Sequence, residues 1–347
     1  MRLHRTSRTV LALTAVAALG LSAAACGRSS SKSASGGGKK IGIDFPRSDS
    51  DFWNSYAKYV NSDISSGKIN ALPATNSNNQ TDVLVSNVTT LTGQGAKVIL
   101  MAPQDTGAIA STLEDLAGKH IPVVSVDTRP DKGQVYMVVR ADNKAYGTKA
   151  CQFLGDKLKG TGRIVEFEGD LTSINGRDRS QAFGDCMKQN YPNIKIEAEP
   201  TNWAGDVAAS KLQDALNAGT VNGIYMQAGG VFLAPTLSLL KQKNLLVPPT
   251  DPKHIFIISN DGIPAEFQAI KAGQIDATVS QPADLYAKYG LFYAQAAADG
   301  KTFSPGPTDH NSTIIQLPNG LEDQLPAPLV TSANVGDSTL WGNQVGK

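Results

Sequence analysis

A chain of 347 residues that is 41% hydrophobic and 18% charged has the make-up of an ordinary globular protein. Its formal charge of +1 at pH 7, with no basic stripe, excludes a nucleic-acid partner. Beyond an N-terminal stretch of different character, the remaining length suits two domains.

The chain begins with a basic head of Arg2, His4, Arg5 and Arg8. An apolar run over 10–21 follows, broken only by Thr14 and Gly20, and then the small residues Ser22, Ala23, Ala24 and Ala25. That order predicts a secretory signal peptide over 1–25. The apolar run is too short to span a bilayer, which takes about 20 apolar residues. Ala23, Ala24, Ala25, Cys26 and Gly27 together resemble the lipobox of bacterial lipoproteins, whose cysteine becomes the lipidated first residue of the mature chain. Ala23 stands where Leu is commonest, and ordinary cleavage near Ala25 is the alternative. Residues 26–39, mostly Ser, Gly and Lys, read as a flexible tether. The expectation is an exported protein anchored by lipid on Cys26 to the outer face of the cytoplasmic membrane.

From Lys40 onward, short β-rich apolar runs alternate with helical patterns. Strands are predicted at 41–45, 98–101, 123–126 and 135–139, and helices at 52–64 and 82–92. Leu84, Val88 and Leu91 share one face of the second helix, and Ile109, Leu113 and Leu116 mark a third. The pattern resumes with helices at 144–158, 175–189, 206–217 and 233–243. Strands at 163–167, 194–198, 223–226 and 254–259 alternate with them. Such alternation predicts an α/β fold of two similar doubly wound lobes with parallel sheets covered by helices. Ligands of open parallel sheets sit outside the carboxyl ends of the strands, so two facing lobes make a cleft there.

Four segments carry a family resemblance. They are Lys39 to Ile43 with Asp51, Phe52 and Trp53; Ile121 to Asp127 with Ala141, Asp142 and Asn143; Gly176 to Phe183; and Asn260 to Pro264 with Ala269 to Gly273 and Asp276 to Pro282. In order and spacing the chain resembles the type I periplasmic binding proteins, in particular the ribose-binding-like receptors of sugar ABC transporters, from about Lys39 to Asp299. The resemblance implies a clamp with three crossovers, near Ala141 to Asn143, Ser280 to Pro282 and Pro307 to Asn311. The N-terminal lobe would comprise 40–141 and 282–308, and the C-terminal lobe 142–281 and 309–347.

A sugar needs directional, preferably charged, hydrogen-bond partners and flat apolar plates. The resemblance implies stacking by Phe52 and Trp53 from one lobe and Trp203 from the other, with hydroxyls held by Asp127, Arg179, Asp261 and Gln281. Thr128 stands where many relatives carry Arg, and Arg129 is a possible substitute. Arg177 is expected as a solvated helix residue. Where relatives often have Asn and then Asp, this chain has Ala228 and Gly229, with Gln227 as a partial replacement. That departure argues against ribose itself and toward another pentose, a deoxysugar or a sugar alcohol.

After Cys26 only Cys151 and Cys186 remain; they pair in an oxidising compartment or stay as two buried thiols. His120, His254 and His310 have no metal-ligand spacing, no Gly-x-Ser-x-Gly elbow occurs, and Gly93 and Gly95 lack the rest of a phosphate loop. No enzyme activity, metal or cofactor is expected. A repressor is excluded because signal peptide and tether stand where a helix-turn-helix domain would. The expected partners of this monomer are a sugar or polyol, an ABC permease with its ATPase, and the membrane through the lipid. The alternative is a ligand sensor feeding a membrane signalling receptor.

Overall fold

The computed structural model describes residues 40–345. The expected signal peptide, Cys26 and the expected tether lie outside the described residues. Two open α/β sheets form the protein. The first lobe begins with β1 (Ile41–Phe45), α1 (Asp51–Ser65), β2 (Thr75–Asn76), α2 (Thr81–Gly93), β3 (Val98–Met101), α3 (Ala110–Gly118), β4 (Val123–Val126) and β5 (Met137–Ala141). The chain then crosses at Asp142, whose carboxylate accepts the Lys144 and Ala145 amides and so caps the next helix.

The second lobe holds α4 (Asn143–Lys157), β6 (Gly162–Glu168), α5 (Ile174–Asn190), β7 (Ile194–Pro200), α6 (Gly205–Ala218), β8 (Gly223–Met226), α7 (Gly229–Gln242), β9 (Phe256–Asp261), α8 (Pro264–Lys271) and β10 (Ala277–Ser280). The chain returns to the first lobe for α9 (Ala283–Ala298), β11 (Gly306–Pro307), β12 (Thr313–Leu317) and β13 (Gly320–Leu325). It ends with β14 (Leu329–Thr331) on the second sheet and a 3₁₀ turn, Trp341–Asn343.

The sheet orders are β11-β12-β13-β5-β4-β3-β1-β2 and β14-β10-β9-β8-β6-β7. The central strands are parallel, as the apolar runs predict, while β11, β12 and β14 pair antiparallel. Successive side chains point to opposite faces. Val98 and Leu100 thus pack in the core that holds residues of α1 and α9, and Ile99 and Met101 pack with those of α2 and α3. In the second lobe Ile164 faces the α4–α5 side and Val165 the α6–α8 side. Cys151 on α4 and Cys186 on α5 are joined by a disulfide.

Three expectations are corrected. Residues 309–325 belong to the first sheet, because β13 pairs in parallel with β5; the third crossover therefore falls at 326–328, not 307–311. The strand expected at 254–259 runs from Phe256 to Asp261, since the His254 side chain is held by Val247 O and Asp276 before pairing begins. Helix α7 starts four residues earlier than the apolar periodicity implies, at Gly229. A Cβ on Gly229 would lie 2.2 Å from the Glu266 carboxylate, so only glycine allows the helix to begin there.

Candidate functional site

Seven of the parallel strands end in, or lead into, a wall residue. Arg47 follows β1, Gln104 follows β3, Asp127 follows β4, Trp203 follows β7 and Ala228 follows β8. Asp261 ends β9 and Gln281 follows β10. Phe52 and Trp53 come from the first turn of α1, and Asn175 and Arg179 from one face of α5. About 390 Å³ of space free of protein atoms, part of it open to solvent, lies among them.

The lobes are closed over this space. The Thr106 amide of the first lobe donates to Thr172 O of the second at 3.3 Å. Arg47 reaches Trp203 O at 3.4 Å. Arg177 is not a freely solvated side chain: its Nη2 donates to both Asp131 carboxylate oxygens (2.6 and 2.8 Å) and to Thr106 Oγ1 (3.2 Å). Deeper in, the buried Arg140 of β5 donates to Asn175 Oδ1 at 2.9 Å and to Asp178 at 3.2 Å. Three side chains near the start of α5 thus grip the first lobe.

Arg179, 2% exposed, is the hub of the cavity. Nε donates to Asn143 Oδ1 (2.6 Å), Nη1 to Gln227 O (2.5 Å) and Nη2 to Gln281 Oε1 (2.8 Å). A guanidinium has five N–H donors, so two remain for a ligand. Its Cζ also lies over the Trp203 ring, 5.8 Å from the centroid. Asp127 Oδ2 accepts from Asn175 Nδ2 at 2.7 Å, while its Oδ1 is buried without a partner. The Trp203 indole N–H is likewise buried and unpartnered. Buried polar atoms are normally satisfied, so an orphan acceptor and an orphan donor on one cavity wall mark places a ligand would fill. Asp261 Oδ2 accepts the Gly230 amide at 2.7 Å.

Burial pushes the pKa of both Asp127 and Asp261 above the usual carboxylate range, and Arg179 partly offsets this in each case. Behind Asp261, Glu266 is also held high, first by burial and then by the Asp261 charge. Glu266 accepts the Gly262 and Ile263 amides and the Thr278 hydroxyl, and so acts on the backbone rather than in the cavity.

Seven of the nine expected ligand-binding residues, Phe52, Trp53, Asp127, Arg179, Trp203, Asp261 and Gln281, share this wall. Two do not. Gln227 is fully buried and turns away, donating to Glu166 and the Ser180 hydroxyl and accepting the Gly169 amide. Thr128 follows Asp127, whose φ of 65° redirects the chain, and is buried off the cavity. Arg129 reaches Asp178 at 3.9 Å and is absent from the wall. Sequence reading missed Arg47, Ser50, Gln104 and Asn175. Asn175 carried a usable signal: it lies four residues before Arg179, one helical turn away on the same face. Ala228 and Val231 form an apolar corner where the departure from the ribose-binding pattern was noted.

A model of the periplasmic binding protein domain matches residues 41–302. The xylitol-binding protein of Mycolicibacterium smegmatis is 26% identical over 305 residues, covering 85% of this chain and 82% of that protein. The ribose import binding protein RbsB of Haemophilus influenzae is 26% identical over 218 residues, 62% of this chain and 71% of that one. Among solved structures, an ABC transporter solute-binding protein from Mycobacterium smegmatis with bound glycerol aligns with a TM-score of 0.74 at 22% identity, covering 86% of this chain and 96% of that one. A Caulobacter myo-inositol binding protein aligns with a TM-score of 0.72 at 22% identity, covering 85% and 94%.

Proposed function

The chain belongs to the periplasmic binding protein family, and from that premise we propose that it captures one monosaccharide or small polyol between its lobes and delivers it to an ABC permease. The observation that carries the reading is the cavity wall: an orphan carboxylate oxygen on Asp127, an orphan indole N–H on Trp203 and a half-spent guanidinium on Arg179 all converge between aromatic rings. Acceptor, donor and plate are what a polyhydroxylated carbon chain requires. The groups come from both lobes, so ligand favours the closed state through contacts the open state lacks.

The apolar corner of Ala228 and Val231 favours a ligand that presents C–H rather than hydroxyl there, which suits a sugar alcohol, a deoxysugar or a pentose other than ribose. The xylitol-binding relative supports the polyol end of that range. In the cell, lipid on Cys26 would hold the clamp beside its permease; stable anchoring takes more than one acyl chain.

The test is calorimetry of the full chain against xylitol, D-ribose, L-arabinose, myo-inositol, an amino acid and a nucleoside, with melting followed in parallel. A true ligand at a hundredfold excess over its Kd stabilises the fold by about 2.7 kcal/mol. Binding confined to the sugars and polyols supports the reading. Binding by the amino acid or nucleoside alone overturns the cargo, and no binding at all removes it.

A further inference from the structure

The C-terminal segment after β14 has no part in the cavity wall, yet it touches two elements that build it. Residues 332–345 fold back on themselves. Asn343 Nδ2 donates to Val335 O and Asp337 O, and Gln344 Nε2 donates to Ser338 O and Thr339 O. From this braced loop Trp341 points inward and is 2% exposed. The loop sits hard on the second lobe: a Cβ on Gly342 would lie 2.3 Å from Gly262 O and 2.8 Å from the Phe267 ring.

Trp341 makes two contacts of consequence. Its indole N–H donates to the main-chain oxygen of Asp261 at 3.2 Å. Its ring meets Phe52 edge to face, 6.1 Å between centroids at 83°. Asp261 is a second-lobe carboxylate of the cavity and Phe52 a first-lobe aromatic plate.

Asp261 needs such support. Its φ is 111°, a region costly for a residue with a side chain. A conformation of that kind persists only where its surroundings over-determine it. Here the carbonyl takes two donors, the Gln281 amide at 2.9 Å and the Trp341 indole, while the carboxylate takes the Gly230 amide. Of these three donors, Gly230 lies near the Phe52 backbone, and Trp341 sets its ring against the Phe52 ring. Phe52 in turn is braced by Trp53 and by Tyr286 of α9, both edge to face.

We propose that Trp341 is a positioning residue for ligand binding: it sets the Asp261 peptide and the Phe52 ring against each other across the hinge without touching the ligand. This rests on the reading of the cavity as a sugar or polyol site. It gives the segment beyond β14 a task other than covering the second lobe.

The test uses Trp341→Phe, which keeps a ring against Phe52 and loses the N–H donor, and Trp341→Ala, which loses both. Each is made in the full chain and titrated with whichever of xylitol, D-ribose, L-arabinose or myo-inositol the unmodified protein binds. Trp341→Phe should bind about three- to tenfold more weakly, the range for one hydrogen bond. The loss should lie in faster dissociation, and the ligand-free melting temperature should change by no more than about 2 °C, the scale of one lost hydrogen bond in a chain this size. Trp341→Ala should bind more weakly still. In an Asp261→Asn background the Trp341→Phe effect should fall below about twofold, because the peptide is still held but the carboxylate it presents to the ligand is gone.

Lowered melting with unchanged affinity and dissociation rate would mean a purely structural role and overturn the proposal. Full additivity with Asp261→Asn would overturn it as well. If Trp341→Ala does not fold, Trp341→Phe and the double variant decide. Should the unmodified protein bind none of the four compounds, or Arg179→Ala bind as well as it does, the cavity reading itself is wrong, a result independent of Trp341.

Discussion

Asp127, Trp203 and Asp261 hold φ angles of 65°, 57° and 111°, and all three line the cavity. Strain gathered at one site is costly, and the hydrogen bonds to Asp127 and Asp261 show where it is repaid. Arg179 matters most at this scale, since it bonds three partners and still has two donors for a ligand. Arg179→Ala should weaken binding at least about tenfold, from the loss of charge-assisted hydrogen bonds; calorimetry with the ligand found in the panel measures this. The residues legible in the sequence were those at strand ends next to glycine or in a motif, such as Asp261 and Arg179. Gln227 misled because a polar residue just past a strand can turn either way, and the buried Glu166 draws it inward. Asn175 was legible only in part: its place on the Arg179 face of α5 could be read, but its bonds to Asp127 and Arg140, far away in sequence, could not.

Among the elements, α5 has the largest share in closure. Asn175, Arg177 and Asp178 near its start reach Asp127, Asp131 and Arg140 of the other lobe. The Arg177–Asp131 pair is partly solvated, and such pairs are worth little individually. Arg177→Ala should therefore raise ligand dissociation only about two- to fivefold and leave association unchanged, as stopped-flow fluorescence would report. Most helices and strands were legible because apolar periodicity and burial agree, as at Leu84, Val88 and Leu91. The β12–β13 hairpin was not recognised, although Asn319 and Gly320 gave a turn signal. Its strands mix charged and apolar residues: Glu322 and Asp323 are buried, Asp323 against Ser312, His310 and Tyr293. No alternation of hydrophobicity marks a strand whose buried face is a polar cluster.

At the level of the whole molecule, buried carboxylates set the response to pH. Burial raises the pKa of Asp44, Asp127, Glu166, Asp261 and Glu266 above their unfolded values. The folded state then binds more protons than the unfolded one, so this contribution to stability is full below about pH 4 and is lost as pH rises through the folded values. Asp49, Asp309 and Asp337, held low at the surface, act the opposite way and only in acid. The ligand-free protein should melt at a higher temperature at pH 5.5 than at pH 8, and Asp261→Asn should flatten that slope; scanning calorimetry across the range checks both. The sheet orders carry one more consequence. Strand β13 lies inside the first sheet between β5 and β12, and β14 completes the second beside β10. Until residue 325 has been synthesised one edge of β5 is bare, and until residue 331 one edge of β10 is bare, so the first sheet is completed by β13 and the second only by β14. Each sheet is thus closed by a strand close to the C-terminus, and neither lobe has its full set of strands until nearly the whole polypeptide exists.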